Sequence, residues 1–149
     1  MINIRAATLD DARYLGSRLR QQDREEVKAS HGVTGEEAVL LSFQRAVVSY
    51  VVELDGQVIC LFGVTQALTG GYPWLLGTDA MEQLPVTFFR TSRTFIDAFV
   101  QQFGYLENYV DARNTLSIQW LRWLGFTIYQ PAPYGIEQKL FHKFTLGGD

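Results

Sequence analysis

Four groups of residues in this chain have types and spacing suited to chemistry. Carboxylates end three apolar runs: Glu53, Asp79 and Asp111. A carboxylate at a strand end can take a proton from a nucleophile, directly or through water. Each also has a plain role. Glu53 precedes an Asp-Gly turn on the surface, Asp79 caps a turn or helix, and Asp111 pairs with Arg113. Tyr72, Tyr109, Tyr129 and Tyr134 are candidate proton donors, and Tyr134 sits in a loop framed by Pro131 and Gly135. Arg90, Thr91, Ser92, Arg93 and Thr94 bring two guanidinium groups and three hydroxyls to one helical stretch. They form either a solvated face or an anion contact. Asn114 follows a strand and opens a helix, where an Asn ordinarily serves as N-cap.

Other chemistries find no support. His31 and His142 lie far apart without ligand spacing, and Cys60 stands alone in an apolar run, so no metal site is expected. No phosphate-binding Gly-Lys-Ser/Thr loop, nucleophile elbow or His-Glu-x-x-His helix occurs. A net charge of -3, with basic residues scattered, gives no nucleic-acid footprint. No apolar run reaches the length of a membrane span and no leader pattern opens the chain. A soluble protein of the cytoplasm is expected.

The elements that must position these residues read as one domain over residues 1–149. With 47% apolar residues there is material for a sizeable core. A first strand spans Ile2 to Ala6. Thr8 and Asp11 form a capping-box pattern, and Ala12, Leu15 and Leu19 extend a helix to about Asp23. A second helix covers Glu36 to Ala46. Asp55-Gly56 joins two β-rich runs as a hairpin, and Tyr72 to Gly77 adds a third strand. Pro85 opens a long helix in which Phe88, Phe95, Phe99 and Phe103 form a stripe, ended by Gly104. A strand to Asp111 and a helix from Thr115 to Leu124 follow. Strands Phe126 to Tyr129 and Glu137 to Thr145 close the chain, separated by a Pro-rich loop. This order implies an α/β (α+β mixed) fold: a mixed sheet of about six to seven strands with helices on both faces.

Two features carry a resemblance to a known family. The block Tyr109-Val110-Asp111-Ala112-Arg113-Asn114, with its helix and Gly125-Phe126 stop, resembles the last conserved block of the acyl-CoA-dependent N-acetyltransferase (GNAT) superfamily. The opening Ile4 to Ala12 and the element order are similar throughout. The resemblance implies a sheet splayed between two central strands, with acetyl-CoA as co-substrate in the splay. It further implies an amine acceptor on a protein or small molecule, and a homodimer as the default assembly. Arg90 to Thr94 would then hold the pyrophosphate at a helix N-terminus, Asn114 would contact the cofactor arm, and Asp79 and Tyr134 would serve as base and acid. Two departures stand out. Arg93 and Phe95 replace the small residues of the usual glycine loop, and Leu121 stands where many members carry an acidic Tyr. Gly77-Thr78-Asp79, Phe89 to Arg93 and Asn108 to Phe126 look like a divergent phage-associated GNAT-like group. That likeness implies an alternative: a scaffold without catalysis, acting in virion assembly or on a host protein. The two readings predict opposite interiors, since Phe88, Phe95 and Trp120 would fill the splay of a degenerate scaffold.

Overall fold

The computed structural model describes residues 1–148. Strand β1 (Ile2–Ala6) leads into helices α1 (Leu9–Gly16), α2 (Gln21–His31) and α3 (Gly35–Arg45). Strands β2 (Ala46–Leu54), β3 (Gln57–Gln66) and β4 (Gly71–Gly77) form a meander. A 3-10 turn (Asp79–Gln83) and helix α4 (Val86–Phe103) lead to β5 (Tyr105–Asp111) and α5 (Thr115–Trp123). Strands β6 (Thr127–Ile128), β7 (Ala132–Tyr134) and β8 (Lys139–Gly147) complete the fold.

Local chemistry explains most boundaries. Thr8 and Asp11 cap α1 reciprocally: the Asp11 amide donates to Thr8 Oγ1 at 3.3 Å and the Thr8 amide to Asp11 Oδ2 at 2.9 Å. Thr34 and Glu37 do the same for α3. Asp55 and Gly56 both take positive φ, 51° and 81°, as a two-residue turn between twisted strands requires. Gly104, at φ 79°, ends α4.

The first helix departs from expectation. Instead of continuing to Asp23, the chain breaks after Gly16 and restarts as α2, which the sequence pattern did not separate. No Gly or Pro lies between Ser17 and Arg20. The cause is tertiary: Arg20 is extended, and its amide donates to Gly77 O at 2.8 Å. The sheet holds eight strands against the six to seven expected. One of them, β7, forms in the Pro-rich segment expected as a loop.

The sheet order is β1-β2-β3-β4-β5-β8-β6, with β7 also on β8. All pairs are antiparallel except β4–β5, which is parallel and joined at one position, Gly71 opposite Leu106. Beyond it the two strands diverge. Helices α1 and α3 cover one face over Val51, Leu61 and Leu76. Helices α4 and α5 cover the other over Val52, Phe62, Val64 and Phe144. Two half-sheets thus meet at a splay, and that splay positions the candidate site.

Candidate functional site

Diverging strands leave edge groups without ladder partners, and buried groups of that kind need others. On β4 the Pro73 carbonyl accepts from Asn108 Nδ2 at 2.8 Å. At the wide end, Gly77 donates its amide to Asp23 Oδ2 at 2.9 Å and its carbonyl accepts from Arg20. On β5 the Tyr109 amide donates to Asn108 Oδ1, and the Asp111 amide to Glu26 Oε1, each at 2.8 Å. Strand alternation puts the Leu75 amide and carbonyl on the same edge as the Pro73 carbonyl and the Gly77 amide and carbonyl. Leu75 therefore offers one donor and one acceptor to the open part of the splay.

The wide end is closed by a buried polar cluster. Asn114 is 1% exposed, and its side chain caps no helix. Its Oδ1 accepts from Arg20 instead, and its Nδ2 lies 3.4 Å from both Asp23 Oδ1 and Glu26 Oε1. Arg20 Nε sits 3.2 Å from Asp23 Oδ1, an ionic contact without hydrogen-bond alignment. Burial raises the Asp23 carboxyl above its ordinary range, against the opposing pull of Arg20. Glu26 is pushed up to about 8, first by burial and then by the negative charge of Asp23. Its hydrogen bonds from the Asp111 amide and Asn114 hold it partly back. Glu26 is half-buried, and it lines the cavity described next.

A cavity of about 660 Å³ passes through the sheet at the splay. One face of its lining comes from α2, α3, Tyr72, Trp74, Tyr109 and Tyr134. The other comes from Phe88, Ser92, Phe95, Ser117, Trp120 and Leu121. Phe88, Phe95 and Trp120 thus line the splay and leave it open. Tyr134 stacks on Tyr109, with centroids 4.0 Å apart and planes at 14°. Burial, then Tyr109, raises the Tyr134 phenol, so it carries its proton at neutral pH. Trp74 Nε1 is buried with no partner among the described residues.

The expected site residues fall in different places. Tyr134 lines the cavity, and Asn114 borders it through the polar cluster. Asp79 is exposed on the 3-10 turn, outside the lining. The expectation for Arg90, Thr91, Ser92, Arg93 and Thr94 is corrected in one respect: they are not a helix N-terminus. Helix α4 starts at Val86, so these residues occupy its second and third turns, where intrahelical bonds consume the amides. At about 100° per residue, five consecutive helical positions also point all round the axis. Ser92 faces the cavity and accepts from Trp120 Nε1 at 3.2 Å. Thr91 bonds back to Thr87 O, and Arg90 and Thr94 are exposed. Arg93 donates to the Trp123 carbonyl and lies 4.3 Å over the Trp123 ring. It joins α4 to α5. Asp111 is held by Arg113, as one reading of the sequence expects, with Nη2 to Oδ2 at 2.7 Å. Sequence reasoning missed Glu26. The sequence pattern places its segment between two helices, and nothing near it in sequence signals that β5 will approach.

A splayed mixed sheet flanked by helices in this order is the fold of the GNAT N-acetyltransferases. Among solved structures, the chain is similar to the ribosomal-protein-S18-alanine N-acetyltransferase of Escherichia coli. Identity is 15%, coverage is 99% of this chain and 94% of that one, and the TM-score is 0.66. It is similar to the spermidine N-acetyltransferase of Vibrio cholerae in complex with CoA and spermine, at 13% identity, 98% and 95% coverage and a TM-score of 0.67. A putative acetyltransferase from Salmonella typhimurium, with its cofactor acetyl-CoA, matches at 15% identity, 99% and 94% coverage and a TM-score of 0.67. No family model and no curated protein matches the sequence. Among the described residues no helix is long and apolar enough to cross a membrane.

Proposed function

We propose that the protein is an acyl-CoA-dependent N-acyltransferase that moves an acetyl group from acetyl-CoA to an amine. The observation that carries this reading is the cavity through the splay, onto which the Leu75 edge opens. An extended amide-bearing arm such as pantetheine pairs with one strand edge as an added strand would. Leu75 has one amide and one carbonyl for it. The acceptor reaches the thioester from the face of α2 and α3. Its nitrogen attacks the carbonyl carbon, the C–N bond forms and the C–S bond breaks. Glu26 takes one proton from the ammonium before attack, Tyr134 gives its proton to the leaving thiolate, and the second proton that the nitrogen loses restores Tyr134. A base near 8 suits a proton held by an ammonium. Bringing donor and acceptor together across one sheet supplies much of the rate. Asp79, exposed outside the lining, yields the base role to Glu26 in this reading. The reading implies action in the cytoplasm, where acetyl-CoA is available.

A second reading, a GNAT-like phage or prophage scaffold that binds a virion or host protein, is favoured by a specific observation. The Gly77 edge groups are already taken by Asp23 and Arg20, and Arg93–Trp123 and Ser92–Trp120 join α4 to α5. Calorimetric titration with acetyl-CoA, with CoA as comparison, separates the two. The transferase reading expects saturable one-site binding that Leu75→Pro abolishes. That change removes the edge amide at a position two residues after a proline the strand already accommodates. An absence of heat up to millimolar acetyl-CoA overturns the transferase reading.

A further inference from the structure

The face of the cavity formed by α2 and α3 differs in character from the other. Among the described residues Glu26 is the one carboxylate that lines the cavity. Tyr72, Tyr109 and Tyr134 bring electron-rich rings to the same cavity, and Val27 and Leu41 add apolar walls. At the exposed rim stand Arg45 and His31. Cations are attracted to tyrosine ring faces, the more so when desolvated, and a single ammonium is met by a single carboxylate. A polyamine needs further acids along its length, and here the rim bears the opposite charge.

Building on the transferase reading, we propose that this face is an acceptor subsite for a primary monoamine on an apolar or aromatic stem, with Glu26 holding the ammonium. Tyr72, Tyr109 and Tyr134 flank the charged head, Val27 and Leu41 contact the stem, and Arg45 disfavours polycations. The subsite is specificity-determining: it selects one positive charge and an oily tail. Glu26 thereby serves twice, holding the ammonium and then accepting its proton.

The probes are phenethylamine, its neutral counterpart 2-phenylethanol, and spermidine, each titrated into the protein without donor. A pH of about 8.5 keeps Glu26 largely ionised and the amines protonated. Phenethylamine is expected to bind at least about tenfold more tightly than either other probe. Glu26→Gln should remove that preference while leaving 2-phenylethanol binding unchanged, and Tyr72→Ala, at the rim, should weaken phenethylamine several-fold. A thermal melt of each variant controls for folding, and Tyr72→Ala keeps the test open if Glu26→Gln unfolds. Equal binding of amine and alcohol, tighter binding of spermidine, an undiminished preference in folded Glu26→Gln, or, where that variant unfolds, in Tyr72→Ala, overturns the proposal. Acetyl-CoA titration run alongside distinguishes the two failures. Loss of donor binding with the amine preference intact sinks the transferase reading alone, and donor binding without the preference sinks this subsite alone.

Discussion

At the scale of single residues, Glu26 and Arg93 exchange the importance their neighbourhoods in sequence suggest. Burial and Asp23 raise Glu26 from 4.5 to about 8, so the folded protein keeps a proton that the unfolded chain releases across that interval. Its contribution to stability is complete below the unfolded value and is lost as pH rises to about 8. The melting temperature is expected to fall between about pH 5 and 9, and Glu26→Gln should flatten that slope; parallel slopes would show that Glu26 is not the titrating group. In the transferase reading the same substitution lowers kcat by roughly 10²–10⁴, the usual contribution of a general base. Arg93 belongs to the packing of α4 on α5. Arg93→Ala should cost about 1 kcal/mol, typical of an exposed cation–π contact, and lower the melting temperature modestly. Acetyl-CoA affinity and its salt dependence should stay the same, whereas a phosphate-binding Arg93 would take both with it. The sequence singles out Tyr134, which lines the cavity, only as one of four tyrosines, standing in a turn-rich loop beside the last strand. The setting of Glu26 was not legible, because Glu26 becomes special only when Asp23, Asn114 and the Asp111 amide surround it.

At the scale of elements, the boundaries written in local chemistry were legible and those imposed by distant partners were not. Capping pairs, the Asp-Gly turn and the Phe stripe each announce themselves within a few residues. The break between α1 and α2 does not, because the Gly77 edge of β4 produces it. Helix α2 thus begins as a strand-like contact and continues as a helix, carrying Arg20, Asp23 and Glu26 to the wide end of the splay. The Asp23 carboxylate is 1% exposed and serves the Gly77 amide, Arg20 and Asn114 together. Removing it leaves the buried Arg20 guanidinium without its counter-charge and the Gly77 amide without a partner. Asp23→Ala is expected to cost about 3–5 kcal/mol, the penalty of breaking a buried ion pair. Urea unfolding measures this directly, and a loss below about 1 kcal/mol would mean that water replaces the carboxylate. The misplaced helix N-terminus has an equally physical origin. Pro85 marks the true start of α4, and the basic stretch beyond it lies too deep in the helix to offer free amides.

At the scale of the whole molecule, the fold is two half-sheets that touch at one parallel position, Gly71 opposite Leu106. The order of elements along the chain, apart from the α1–α2 break and β7, could be read from hydrophobic period and turn chemistry; the depth and openness of the splay could not, since they depend on which side chains bridge it. Asn108 is the bridge nearest the junction, with Nδ2 on the Pro73 carbonyl and Oδ1 on the Tyr109 amide, both at 2.8 Å. One side chain thus satisfies one edge group on each half-sheet. The wide end has a second tie in α2, and the widening between them is the cavity. Asn108→Ala removes the inner tie and orphans both edge groups, each loss worth about 1–3 kcal/mol if no water enters. The effect should be confined to the splay, because the β1–β3 ladder is paired independently. Hydrogen exchange is therefore expected to quicken at Tyr109 and Asp111, whose amides are held across the splay, while amides of β2 and β3 keep their protection. Uniform quickening across the sheet would show that the half-sheets open as one unit. Local quickening would identify Asn108 as the hinge of the splay, able to set how wide an arm the cavity admits.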